Sequence, residues 1–412
     1  MADEHIIRLV DVTNRDGVQT SRLGLAKLQK TIINLLLNEM GVHRSEFGFP
    51  FTHHETHYLN ANLRLKERGL LKSIILSGWC TARMKDVELS FALVPSLKHI
   101  CVSISTSTQM IEGKFGGKDR ADVIRMMRDA VAACYEGGAE WVGVNAEDAS
   151  RTELDELIEY SGAAKEAGAK SLRYCDTLGY DDPATIHQRC RDLATAVKLP
   201  IELHCHNDLG MAVAVSCAGA VGAVEGGVDA YINTTVNGMG ERAGNADLVS
   251  VVLALRYASG YSKLKLLDPR VDLSKAWRIS RYGSYAFNVP IPINQPGVGA
   301  NAFAHESGIH ADGALKDSRN YELYDYEDLG RGEPETVETG RLITVGEYSG
   351  IKGFRNVYGK LKVEFHDEAE ATRILELVRY ANVHTQKPLT EQELMFVANY
   401  PDEAKEIMTV TP

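Results

Sequence analysis

Short β-branched and apolar runs alternate with longer stretches whose apolar residues recur every three to four positions. The short runs are Ile6–Thr13, Arg44–Phe49, Lys72–Trp79, His99–Ser105, Trp141–Asp148, Ala169–Thr177, Pro200–Asp208 and Ala230–Asn237. They predict eight strands, with starts 27 to 42 residues apart. Between them, Leu25, Leu28, Ile32, Leu35 and Leu36 mark one amphipathic helix ending before Gly41. Val123, Met126, Ala130, Val131 and Cys134 mark another before Gly137 and Gly138. Asp182 followed by Pro183 is a helix start, a capping carboxylate with proline at the first helical position. Strands alternating with helices pair in parallel through right-handed crossovers. Eight such units fit a closed (β/α)₈ TIM barrel better than an open Rossmann sheet. That fold places chemistry at the C-terminal ends of its strands.

The texture changes after about Ser274. Ile291–Gly313, rich in Pro, Gly, Asn and His, reads as a long irregular segment. Beyond it the pattern predicts a strand at Arg341–Val345 and helices near Glu368–Asn382 and Thr390–Asn399, with Thr390 and Glu393 as a capping box. The expected organisation is a catalytic barrel over 1–275, a linker subdomain over 276–330 and a small α+β subdomain over 331–412.

Composition narrows the class. The 412 residues carry 45 Lys+Arg against 56 Asp+Glu, and this acidic balance argues against nucleic acid or an anionic membrane as partner. No run approaches the ~18 apolar residues of a membrane span. The acidic opening, Met1 to Arg8, does not read as a secretory leader. Seven scattered cysteines without a CxxC pair read as reduced thiols, so a cytoplasmic location is expected.

Ionisable residues gather at the predicted strand ends. Arg15 and Asp16 follow the first strand, Glu46 lies on the second, and Glu147 ends the fifth. Thr177 ends the sixth, His204 and His206 lie on the seventh, and Asn245 follows the eighth. Residues two apart in a strand share a face, so both imidazoles point into the barrel mouth. With Asp16 as carboxylate they describe an open divalent-metal site; the alternative is a hydrogen-bonded histidine pair. Arg15 either stabilises a developing oxyanion or neutralises Glu46. Glu147 reads equally as a structural acid, and Arg151 as a solvated helix residue. No P-loop or dinucleotide loop occurs; the glycines at 238, 240 and 244 let the backbone turn near the metal end. His305, Glu306 and His310 offer a general base or merely polar filler in a loop.

Taken together, DVTNRDGVQT (11–20), EFGFP (46–50), EDASRTE (147–153), ELHCHNDLG (202–210), GERAGN (240–245) and FAHESGIHADG (303–313) resemble the DRE-TIM metallolyase family. The resemblance spans nearly the whole chain and falls in the Claisen-condensing branch of homocitrate and 2-isopropylmalate synthases. It implies a TIM barrel whose C-terminal subdomains reach over a partner subunit's site, hence a homodimer. It implies Asp16, His204 and His206 as metal ligands, with Asn245 a weaker fourth. Arg15 would polarise the ketone, and Glu147 and Thr177 would lie near a 2-oxo acid whose carboxylate Arg151 binds, with Glu46 alongside. His310, tuned by Glu306 and assisted by Tyr321, would deprotonate the acetyl group of acetyl-CoA. Mn²⁺ or Co²⁺ is the expected ion, with Mg²⁺ or Zn²⁺ as alternatives.

Asn14 stands where the family's first motif has an apolar residue. That variant, with Thr52-His53-His54-Glu55 after EFGFP, resembles the Re-citrate synthase subgroup, which joins acetyl-CoA to oxaloacetate. Homocitrate, 2-isopropylmalate and phosphonomethylmalate synthases are the runners-up. A lyase acting in reverse on a hydroxymethylglutaryl thioester fits the long SGIH tail less well. A non-catalytic metal- or ligand-binding barrel is the alternative outside the family. The chain ends before the amino-acid-sensing domain of many isopropylmalate synthases, so feedback through one is not expected.

Overall fold

The computed structural model describes residues 5–334 and 340–412. Eight parallel strands close in sequence order into one barrel. They are β1 (Ile7–Asp11), β2 (Arg44–Gly48), β3 (Ile75–Thr81), β4 (His99–Ser105), β5 (Trp141–Glu147), β6 (Ser171–Asp176), β7 (Ile201–Cys205) and β8 (Ala230–Thr234). Closure runs through β1 and β8, where Ile7 to Asp11 pair with Ala230 to Thr234. Helices cover the outside, beginning with α1 (Lys27–Glu39) and α2 (Thr56–Glu67). The helix after β6 starts as its sequence requires, with Asp182 accepting from the Ala184 and Thr185 amides and Pro183 in the first turn.

All eight predicted strands form, and most are shorter than expected. β3 begins at Ile75 because the preceding segment closes the end of α2, where Lys66 donates to the Leu71 and Ile74 carbonyls. β7 stops at Cys205; the His206 amide donates to Asp176 and that of Asn207 to Gly244.

The apolar core lies between sheet and helices, where Leu9, Ile32, Phe47, Val144 and Ile232 are fully buried. The barrel interior is different. Arg44, Glu46, Arg173 and Glu202 fill it, all buried. Arg173 donates to Glu46 at 2.7 Å and to Glu202 at 2.5 Å, and Arg44 pairs with Glu202. Two arginines against two glutamates leave this layer neutral, the condition under which buried charge is tolerable. Below it, Arg44 lies over the Trp141 ring at 4.2 Å.

Past the barrel the expectation needs correcting. Arg341–Val345 is not a strand, and the described residues after β8 contain none, so the described part of the region beyond 331 is helical rather than α+β. No neighbouring strand is there to satisfy its backbone. Part of the segment expected to be irregular is also helical, since Gly308–Lys316 forms a helix. The helices Glu368–Thr385 and Glu391–Asn399 do form, the latter with the Thr390–Glu393 capping box. They pack on α1, where His384 accepts the Lys27 amide at 3.2 Å. No helix among the described residues is long and apolar enough to cross a membrane.

Candidate active site

The loop after β1 returns at once, because the Arg15, Asp16 and Gly17 amides all donate to the Val12 carbonyl. This turns the Arg15 and Asp16 side chains into the barrel mouth. Arg15 Nε donates to Glu46 Oε2 at 2.6 Å and Nη1 to Asp16 Oδ1 at 2.8 Å. Its guanidinium also lies 5.4 Å from the Trp79 ring centroid. Arg15 thus pairs with Glu46 and also lines the cavity.

Asp16, His204 and His206 converge with their ligating atoms within 4.8 Å of one another, all three buried, a group that could hold a metal ion. The imidazole rings stand edge-to-face at 5.1 Å. Asn245 completes the cluster through a bridge between its backbone and that of His206. Its amide nitrogen donates to Asp16, leaving Oδ1 without a partner. Nδ1 of each histidine is likewise buried and unpartnered. Buried polar atoms left unpaired are costly. Three of them around one carboxylate are what a cation and the groups bound to it would satisfy, so the donor set fits a divalent ion.

The electrostatics agree. Burial would raise the Asp16 carboxyl, but attraction to the Arg15 guanidinium, joined by the Asn245 hydrogen bond, outweighs it and holds the group well below the usual carboxylate range. Burial pushes both imidazoles down, so they are neutral and free to ligate. Glu46 is also held down, Arg173 and then Arg15 overcoming the penalty of its burial.

Arg15, Asp16, His204 and His206 line a cavity of ≈ 230 Å³ together with Gln19, Glu147, Thr177 and Arg242; Glu46 and Asn245, both expected at the site, are not among its lining residues. A more apolar cavity of ≈ 160 Å³ adjoins it and shares Trp79, Ser103 and Glu147. Glu147 accepts from Ser105 and from Lys114 at 2.7 Å. Thr177 accepts the Asp148 amide at 2.9 Å. Asp148 itself adopts a left-handed conformation, φ 64°, which turns the chain sharply beside the cavity.

Other expected site residues lie elsewhere. Arg151 does not line the cavity; it chelates Asp148 at 2.6–3.0 Å. The cation on the rim is Arg242, which donates to Asp208 and to the Thr177 carbonyl. His310 and Tyr321 stack at 4.2 Å on and beside the helix Gly308–Lys316, away from the residues lining the cavity of the same chain. Glu306 is exposed; the acid beside this cluster is Glu322, 3.0 Å from His305. Cys205 points into the core, whereas Cys175 lines the cavity.

Sequence reasoning missed Trp79, Ser103, Asn145, Cys175 and Arg242 as lining residues. The signal was available for two of them, since Asn145 precedes Glu147 by two on β5 and Ser103 pairs with Asn145 in register.

The chain matches known proteins over most of its length. The HMGL-like family model matches residues 6–282 and the homocitrate synthase post-HMGL domain-like model residues 298–385. The chain belongs to the HMGL-like family, in the Claisen-condensing branch of the DRE-TIM metallolyases. It is 60% identical over 408 residues to the citrate (Re)-synthase of Dehalococcoides mccartyi (strain CBDB1), covering 98% of each chain. It is 39% identical over 394 residues to 2-isopropylmalate synthase 2 of Caldanaerobacter subterraneus subsp. tengcongensis, covering 95% of this chain and 94% of the relative. The solved hydroxymethylglutaryl-CoA lyase of Pseudomonas aeruginosa shares the fold at 15% identity, with a TM-score of 0.57 over 70% of this chain and 95% of the lyase.

Proposed function

We propose that this protein is a divalent-metal-dependent acyltransferase that joins acetyl-CoA to oxaloacetate, giving citrate and CoA. The observation that carries the choice of acid is the 60% identity to a citrate (Re)-synthase over 98% of both chains. The convergence of Asp16, His204, His206 and Arg15 in one cavity supports the chemistry.

Two imidazoles, a carboxylate and the free Asn245 oxygen suit Mn²⁺ or Co²⁺, with Mg²⁺ or Zn²⁺ as alternatives. A cation held there supplies Lewis-acid polarisation of the ketone and a template for the 2-oxo acid. The chain's own groups do the rest. Thr177, Glu147 and the Ser103–Asn145 pair orient the acid. Arg15 donates to the keto oxygen as negative charge develops on it. A base at His310 takes a proton from the acetyl methyl, and the resulting enolate carbon forms a bond to the keto carbon while the carbonyl electron pair moves to oxygen. That oxygen is then protonated, and water cleaves the thioester to release CoA.

His310 must reach a cavity it does not line in its own chain, so the reading includes a homodimer in which this module covers the partner's barrel mouth. Two exposed apolar faces support it. Ile309, Leu315 and Leu323 are exposed in the stretch that carries the histidine and Tyr321, and Leu178, Tyr180 and Leu209 are exposed on the loops that follow β6 and β7. In this reading 1–275 is the catalytic barrel, 276–330 the reaching linker and 331–412 a packing subdomain.

The test is CoA release from acetyl-CoA, followed with a thiol reagent, with each 2-oxo acid in turn. Oxaloacetate should give rapid release and citrate. Faster release with 2-oxoglutarate or 2-oxoisovalerate would reassign the substrate. No release with any acid would leave a non-catalytic barrel.

A further inference from the structure

Asn14 does not touch the cavity. It is fully buried on the outer side of the barrel wall, where Nδ2 donates to the Lys30 carbonyl and to Asn34 Oδ1, both at 2.9 Å. Asn34, on α1, is the hub of a buried amide–hydroxyl network. Its Oδ1 also accepts from Ser45 at 2.8 Å, and its Nδ2 donates to Tyr58 and Asn62 on α2. Tyr58 in turn donates to the Phe47 carbonyl at 3.0 Å.

The attachment points are informative. Asn14 immediately precedes Arg15, and Ser45 and Phe47 sit on either side of Glu46. Alternation in a strand sends Ser45 and Phe47 outward and Glu46 inward. The network therefore holds, from outside the wall, the chain neighbours of the two residues whose side chains form the 2.6 Å pair inside it.

Stability alone does not account for Asn14. Its Oδ1 is buried without a partner, a cost an apolar residue of similar volume would avoid. A bonded polar network does, however, define one geometry where apolar packing tolerates several.

We propose that Asn14 and Asn34 are positioning residues that set the Arg15 guanidinium against Glu46 and the reacting oxygen. The proposal rests on the role given to Arg15 above.

The experiment is a double-mutant cycle on the metal-loaded enzyme. Asn14→Leu should lower kcat about tenfold, the scale of a small misplacement of a catalytic group. KM for oxaloacetate, metal content and Tm should stay near wild type. Asn34→Leu should do the same to kcat at some cost in Tm. Asn62→Leu, whose amide bonds only to α1 and α2, should lower Tm and leave kcat within about twofold. Arg15→Gln should be slow by itself, and adding Asn14→Leu to it should cost no further rate. Wild-type kcat in Asn14→Leu and Asn34→Leu, or an equal loss in the Arg15→Gln background, would overturn the proposal while leaving the reaction intact. A wild-type rate in Arg15→Gln would overturn the role of Arg15 itself, and the proposal with it.

Discussion

Arg15 faces two carboxylates, Glu46 at 2.6 Å and Asp16 at 2.8 Å. A lone guanidinium in a metal pocket would repel the cation; paired to Asp16, it becomes part of a locally balanced site that still offers donors to an oxyanion. Gly240 guards the same geometry. Its φ of 153° is unfavourable for side-chain-bearing residues, and a Cβ there would strike the Asn245 amide and lie 3.0 Å from Asp16 Oδ2. Gly240→Ala should therefore weaken divalent-ion binding by at least about tenfold, as losing a ligand's support does, with the chain still folded. Titration calorimetry with Mn²⁺ alongside circular dichroism checks it; unchanged affinity would show that the Asp16–Asn245 pair does not shape the ion site.

At the scale of elements, much of this was legible in the sequence. All eight strands follow from short β-branched and apolar runs set between helix-period segments, and the shared face of His204 and His206 from the two-residue repeat of a strand. The same periodicity puts Glu202 on the histidine face and Arg44 on the face of Glu46, yet the buried ionic layer was not foreseen. A charged residue in a strand reads as solvent-facing until closure of the barrel gives it an opposite charge to meet. The position of Arg151 was hidden for a related reason. Its motif placed it near the site, but Asp148, turned by a left-handed backbone, captures it three residues away. The Arg341–Val345 strand was misjudged because local β-propensity says nothing about whether a partner edge exists.

At the scale of the molecule, the proposed reaction draws one half of its chemistry from the barrel and the other from the 305–321 module, and no side chain of that module lines the cavity of its own chain. Two variants separate the halves, His204→Ala in the barrel and His310→Ala in the module. Each should be inactive alone. Mixed, denatured and refolded together, they should regain about a quarter of wild-type turnover, because half the dimers are hybrids with one intact site of two. No recovery would place both halves in one chain. The central claim is narrower and concerns the ion. The protein should be stripped with chelator and titrated with Mn²⁺ while bound metal and thiol release from acetyl-CoA plus oxaloacetate are followed together. Release should rise in step with occupancy and level off at one ion per chain; undiminished release from the stripped protein would contradict the account.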